Sequence, residues 1–429
     1  MSIVLALSQL VSIIVIIIYE FKRKFLSIFL WATLLIMFGI PHFLSEILRQ
    51  SKYDNDTMIQ ASIFVTLFNL VYLFIRIFLS KSRFKKKYSQ IKKKEYIVND
   101  YIDNRISRYL FAILCVSMVV FGIVVFINFG SILNVSWGGL YVLNRDTGIW
   151  NPLRYIYFIF FASAGVCLVF KENKSKLLFI ISVVLILFYG LLSGNRTNIL
   201  PLLLVFIIPL VFKSEKRFSI KAIVGLSLLG AFSVYLVYFI KLNRIYGGFY
   251  ATLSSIDFST MNVLVLDMIL NGEGELGLRN AFYHFIDNNN QFPNFNEGHT
   301  YRRLLFIAIP TSLSFGLKPP DFAISMGSAW INDFSNNNYS MHPTLYGDVF
   351  GNFWWLGIFM GIYWAIFAYV IDKIVDRRNP SIKNVLLVLG GSMYIIIARG
   401  SIYNAVFIAF ISCLLIFGVY FLSKLRFEK

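Results

Sequence analysis

The sequence predicts an all-α, polytopic membrane protein of about eleven transmembrane helices with one large extracytoplasmic loop. Three observations carry this. Of the 429 residues, 58% are hydrophobic and only 14% charged, and mean hydropathy is +0.69; a soluble domain carries roughly 25% charged residues. Apolar runs near the length that crosses hydrocarbon as a helix recur along the chain. The segments between those runs alternate between strongly basic and non-basic, as the positive-inside rule requires.

The runs lie at roughly 2–19, 25–45, 58–80, 106–129, 153–170, 177–193, 198–212, 222–241, 352–371, 383–398 and 402–422. The first has no basic stretch before it and no small-residue cleavage site, so it reads as an uncleaved span and not a signal peptide. The basic connections are 20–24, 81–108, 171–176, 213–221, 372–383 and 423–429. Placed in the cytoplasm, they put the N-terminus outside and the C-terminus inside. They hold 27 of the 40 Lys+Arg and 9 of the 22 Asp+Glu; the opposite set holds 12 and 13. The net charge of +18 is therefore a topology signal, and no nucleic-acid partner is expected. The cluster at 81–94 is expected against anionic lipid. Arg76, near the inner end of the third run, is expected to snorkel.

Residues 1–240 thus read as an N-terminal transmembrane bundle of about eight helices. Residues 241–350 read as the large extracytoplasmic loop, with interfacial helices, and 351–429 as about three C-terminal transmembrane helices. Within the loop, 259–270 and 304–317 are apolar but short, and Pro310, Pro319 and Pro320 interrupt the second. They are expected to lie in the interface or dip into the bundle. The NGEGELG run at 271–277 lacks a P-loop lysine and reads as a turn. Cys115, Cys167 and Cys413 are isolated in apolar runs and read as buried, inert thiols. The four histidines, His42, His284, His299 and His342, show no metal-ligand spacing, so neither a metal nor a cofactor is expected.

The cations of the two faces differ in kind. Inside, 8 of 27 are Arg; outside, 9 of 12 are: Arg49, Arg145, Arg154, Arg196, Arg244, Arg279, Arg302, Arg303 and Arg399. Arginine presents a planar fork that grips phosphate bidentately and keeps its charge. The outer set therefore reads as a phosphate or pyrophosphate site; the alternative is pairing with the 13 outer acids. Four outer segments stand out. They are 141–155 with Arg145 and Arg154; 191–201 with Arg196 in a short turn; 297–310 with Glu297, His299, Arg302 and Arg303; and 341–357 with His342 and Asp348. Each also has a plainer reading. A loop histidine is usually solvated, Arg302 and Arg303 can anchor an interfacial helix, and Asp348 can cap the next span.

The SGNRTNILPLLL turn, the GHTY…IP…KPP stretch and the HPTLYGDVFGNFWWLG segment resemble the Wzy-type polymerases of bacterial O-antigen and capsule repeat units. The resemblance covers roughly 140–360. It implies a GT-C-like membrane glycosyltransferase of the ligase/polymerase branch. Its substrates would be polyprenyl-pyrophosphate-linked oligosaccharides at the outer face of the bacterial cytoplasmic membrane. Membrane lipids, a chain-length regulator and a flippase would be partners. The last segment also resembles the His-Asn-x-x-Leu segment of the related O-antigen ligases, with Pro343 here in place of the Asn. Asp348 stands where many polymerases carry Glu, so His342 and a carboxylate stay open as the base.

The chemistry is consistent with this. Outside the cell no ATP is at hand, and a glycosyl pyrophosphate arrives already activated. Its leaving group needs fixed positive charge more than a proton, which Arg196 and its companions supply without a metal. The acceptor hydroxyl then needs positioning and a base. The alternatives are an O-antigen ligase of the same fold, and a transporter or flippase of lipid-linked glycans. Coupled transporters place ionisable residues at mid-membrane, often in repeats. On this reading the spans hold no mid-membrane Asp, Glu, Lys or His, and no repeat is evident.

Overall fold

A computed structural model describes residues 2–48, 52–81, 100–131, 135, 140, 143, 152–193, 195–213, 235–236, 238–243, 245–247, 249–270, 277–335, 339–376 and 378–425. Among the described residues the chain is helical, with no strand. The early helices are α1 (Ser2–Arg23), α2 (Ile28–Leu48) and α3 (Asn55–Lys81). There follow α4 (Asp100–Phe129), α5 (Pro152–Ser163), α6 (Val166–Glu172), α7 (Lys176–Leu192) and α8 (Leu200–Ile208). Next come α9 (Phe249–Ser255), α10 (Phe258–Leu270), α11 (Arg279–Asp287), α12 (His299–Leu305) and α13 (Phe322–Ile331). The last are α14 (Thr344–Phe353), α15 (Met360–Asp376), α16 (Pro380–Ala398) and α17 (Ile402–Leu425).

Eight helical stretches among the described residues are long and apolar enough to cross a membrane, which makes this a multi-pass helical membrane protein. They coincide with the runs expected at 2–19, 25–45, 58–80, 106–129, 153–170, 352–371, 383–398 and 402–422. The runs at 177–193 and 198–212 fall on shorter apolar helices. Most of 222–241 lies outside the described residues, as do the basic cluster at 82–94 and nearly all of the glycine-rich run at 271–277.

The helices form two compact units. The first comprises Met1–Ile97, Gly272–Ile374 and Met393–Phe407; the second comprises Val98–Asn271, Val375–Ser392 and Ile408–Lys429. In the first, α1 packs along α3, and α11 packs against both α3 and α14. Proline in a helix removes a ladder donor and crowds the preceding turn. In α2 a π-turn over Leu35–Gly39 stands just before Pro41 and takes up that disruption. Helix α14 is buried along almost its whole length. It is cut from α15 at Trp354, whose φ of 50° and ψ of −137° no helix accommodates. The 33-residue apolar stretch Thr344–Asp376 is thus a short buried helix, a 3₁₀ turn and a longer helix.

Two expectations about ionisable residues are overturned in this unit. Arg76 does not snorkel: its side chain is 1% exposed. Its Nε donates to Glu20 Oε1 at 3.0 Å, and its Nη2 pairs with Asp372. Phe25 packs under the guanidinium at 4.2 Å. Glu20 also accepts from Tyr72 and Ser27, both at 2.8 Å. Reading the apolar runs in isolation ended α1 and α15 short of Glu20 and Asp372; both helices continue past them and bury them. Nor are the spans free of histidine. His42, fully buried in α2, meets the Tyr283 hydroxyl at 2.7 Å and Ser62 Oγ at 2.8 Å, under a stacked Phe38 ring. A buried imidazole tolerates an apolar helix once both ring nitrogens have partners.

In the second unit α4 packs on α5, and α7 on α6. Tyr189 of α7 sits between Phe160 at 4.6 Å and Phe121 at 5.0 Å. Gly165, between α5 and α6, lets another backbone pass: a Cβ there would lie 2.6 Å from Val385 Cα. Cys167 is buried as expected, whereas Cys115 and Cys413 are only half-buried; all three are free thiols.

Candidate functional site

The first unit gathers two of the outer segments, 297–310 and 341–357, and the start of α17 around one narrow cleft. Thr300, Asp321, His342, Asp348, Tyr403 and Asn404 are among its lining residues. Asp348 does not cap a span. It sits mid-way along α14, 2% exposed, and faces α12. Its Oδ2 accepts from Thr300 Oγ1 at 3.1 Å, and its Oδ1 accepts from Asn352 Nδ2 at 3.0 Å. Asn352 also accepts from the Thr300 amide at 3.0 Å, so the first turn of α12 is tied to α14 through one Asp–Asn pair a helical turn apart. A carboxyl bonded this way is fixed in orientation at the cleft wall. The half-buried Tyr301, outside the spans, has its phenol pKa pushed well up by burial and next by the neighbouring Asp348.

His342 lines the same cleft, half-buried, and the turn that holds it is strained. Thr344 has φ 67°, a left-handed conformation that a β-branched residue rarely adopts. Its amide donates to the carbonyls of His342 at 3.0 Å and Arg399 at 3.1 Å. Gly400 makes the approach possible: its φ is 97°, and a Cβ there would stand 2.8 Å from the Thr344 amide nitrogen. The HPT and RGS segments are therefore pressed backbone to backbone, which fixes His342 at the cleft wall. Strain of this kind costs about 1–3 kcal/mol and persists only where the surroundings enforce it.

The other expected residues divide. Glu297 Oε2 lies 2.9 Å from His299 Nε2; His299 is buried, and its Nδ1 has no hydrogen-bond partner among the described residues. Arg303 donates from Nη1 to the Pro319 carbonyl at 2.7 Å and lies over the Tyr403 ring. Arg302 is exposed. Arg399 contributes its carbonyl to the Thr344 turn. Arg279 is not at the cleft wall; it sits beside Tyr283 and His42. Burial raises the Tyr283 phenol pKa, while Arg279 pulls it the other way.

Arg145 and Arg244 lie outside the described residues. Arg154 and Arg196 are described by backbone only, both in the second unit. Arg196 opens a 3₁₀ turn (Arg196–Ile199) capped by Asn195, whose Oδ1 accepts from the Thr197 amide at 3.2 Å. Asn198 Nδ2 closes the turn on Ser193 Oγ at 2.8 Å. Tyr157, one turn along α5 from Arg154, meets Thr197 Oγ1 at 3.3 Å, so the two arginine-bearing segments adjoin.

Sequence reasoning missed Thr300, Asn352, Asp321 and Tyr403. The i, i+4 spacing of Asp348 and Asn352 in DVFGN was the readable signal, since it puts both side chains on one helix face. No group of three or more His, Cys, Asp or Glu that could hold a metal occurs among the described residues.

Fold and cleft together define a polytopic helical membrane protein with a polar, strained site walled by loop helices and the start of its last apolar helix. Comparison with protein-family models, curated proteins and solved structures finds no match to this chain.

Proposed function

We propose that the protein is a membrane glycosyltransferase that joins polyprenyl-pyrophosphate-linked oligosaccharide repeat units, working from the outer face of the bacterial cytoplasmic membrane through a GT-C-like bundle of about eleven spans. The observation that carries this reading is the meeting of His342 and the bonded Asp348 in one cleft, with Arg303 on the ring of a cleft residue. The acceptor sugar hydroxyl attacks the anomeric carbon of the donor. The new C–O bond forms as the bond to pyrophosphate breaks, and the electron pair leaves with the lipid pyrophosphate. The hydroxyl proton passes to His342, histidine being the side chain that most often serves as a general base. Asp348 orients the acceptor through the Thr300–Asn352 network.

Purified protein, given a polyprenyl-pyrophosphate-linked repeat unit, should build a ladder of products and release the lipid pyrophosphate. His342→Ala should lower turnover by about 10²–10⁴-fold, the usual reach of a general base, with donor binding retained. No ladder from the wild type would overturn the reading. Arg196→Lys should express normally and lose most activity, because an ammonium cannot reproduce a bidentate fork. Full ladders from that variant would remove Arg196 from the chemistry.

The buried Glu20, Arg76, Asp372 and His42 favour a second reading, a transporter of lipid-linked glycans, since ionisable residues inside spans often mark a transport path. Movement of a fluorescent lipid-linked glycan across proteoliposomes, with no ladder, would select it.

A further inference from the structure

Arg303 and Lys318 stand at the two ends of one loop, and both return to the same aromatic ring. Arg303 Cζ lies 4.7 Å and Lys318 Nζ 5.6 Å from the Tyr403 centroid. Backbone carbonyls fix each cation: Pro319 accepts from Arg303 at 2.7 Å, and Ile309 accepts from Lys318 at 2.8 Å. Among the described residues neither has a carboxylate within ion-pair distance, and Arg303 Nε is buried with no hydrogen-bond partner. A ring quadrupole attracts each cation, but the two still repel one another. An anion held by both would remove that repulsion.

The chain between them is apolar and turned outward. Leu305, Leu313, Phe315 and Leu317 are 82%, 62%, 93% and 66% exposed. A 3₁₀ turn at Thr311–Leu313 and left-handed backbone at Phe315 and Gly316 hold this crown in place. Such a group of side chains next to two cations matches the boundary between lipid tails and phosphates.

We propose that Arg303 and Lys318, seated on Tyr403, hold the phosphate of a lipid-borne phosphate while Leu305, Leu313, Phe315 and Leu317 enter the hydrocarbon beside it. Tyr403 also lines the cleft with His342 and Asp348, which places the lipid end of a donor at the cleft rim. That last role rests on the glycosyltransferase reading; the phosphate seat does not.

The test is equilibrium binding to the full chain in detergent, with three probes: a polyprenyl monophosphate, inorganic pyrophosphate, and phosphatidylglycerol in mixed micelles. The polyprenyl phosphate should bind, pyrophosphate about tenfold or more weakly, and phosphatidylglycerol should not displace it. Tyr403→Leu and Lys318→Gln should each weaken polyprenyl phosphate about tenfold, a loss of about 1.4 kcal/mol. Tyr403→Phe should bind as wild type. Phe315→Ser should weaken the lipid probe and leave pyrophosphate unchanged. Unaltered binding by Lys318→Gln, a half-exposed position that folding tolerates, would overturn the seat even if Tyr403→Leu fails to fold. Equal affinity for free pyrophosphate would overturn the lipid part, and displacement by phosphatidylglycerol would reassign the seat to bulk headgroups. Tyr403-dependent binding without any ladder would leave the seat standing and sink the glycosyl-transfer reading.

Discussion

Arg76→Met should destabilise the protein by about 3–5 kcal/mol, the usual cost of breaking a buried ion pair from one side. The charge count sets the direction. Glu20, Arg76 and Asp372 share one buried site in which two carboxyl groups face one guanidinium. Removing the cation leaves two carboxylates in a poorly solvated space. Glu20 keeps only the Tyr72 and Ser27 hydroxyls, and Asp372 keeps the Leu26 amide at 2.9 Å. Glu20→Gln should cost much less, because a balanced Arg76–Asp372 pair remains. Thermal unfolding of purified protein in one detergent compares the two. Equal melting of the two variants would mean that the network does not hold the helices in the way its geometry implies.

Asp348→Ala should have the largest effect on activity. The buried donor Thr300 Oγ1 loses its acceptor, while Asn352 Nδ2 keeps the Asp348 backbone carbonyl at 2.8 Å. One unsatisfied buried group costs about 1–3 kcal/mol. Asp348→Asn separates packing from charge, since it keeps the volume and one acceptor oxygen. With a carboxylate that orients the acceptor, the Asn variant should retain wild-type melting and lose about 10²-fold or more in kcat, with KM for the donor little changed. Near-normal kcat in Asp348→Asn would reduce Asp348 to a scaffold for Thr300 and leave His342 to act without it.

Hydropathy located eight of the eleven expected spans among the described residues, because length and apolarity are local properties of the chain. The positions of Glu20 and Asp372 were misread for the same reason. A charge at the end of an apolar run looks like a loop residue until its partner, far away in sequence, is known. His342 and Asp348 in the cleft, and Arg303 beside it on the Tyr403 ring, were legible from residue type and from their crowding in one loop. Thr300 and Asn352 carry no unusual chemistry alone and gain meaning only by facing Asp348. Tyr403 lay beyond the segments that drew attention, and its role depends on two cations from a loop about a hundred residues earlier.

The first unit is assembled from three separated stretches, and this bears on how the protein is made. Arg76 leaves the ribosome 296 residues before Asp372, and His42 leaves 241 residues before Tyr283. At roughly 5–20 residues per second, the first gap lasts roughly 15–60 s. Through that interval the early helices sit in the bilayer with a guanidinium and an imidazole still lacking partners from the later chain. Until α11 and α15 arrive to close over them, Glu20 of α1 is the partner at hand for Arg76, and Ser62 of α3 the one for His42.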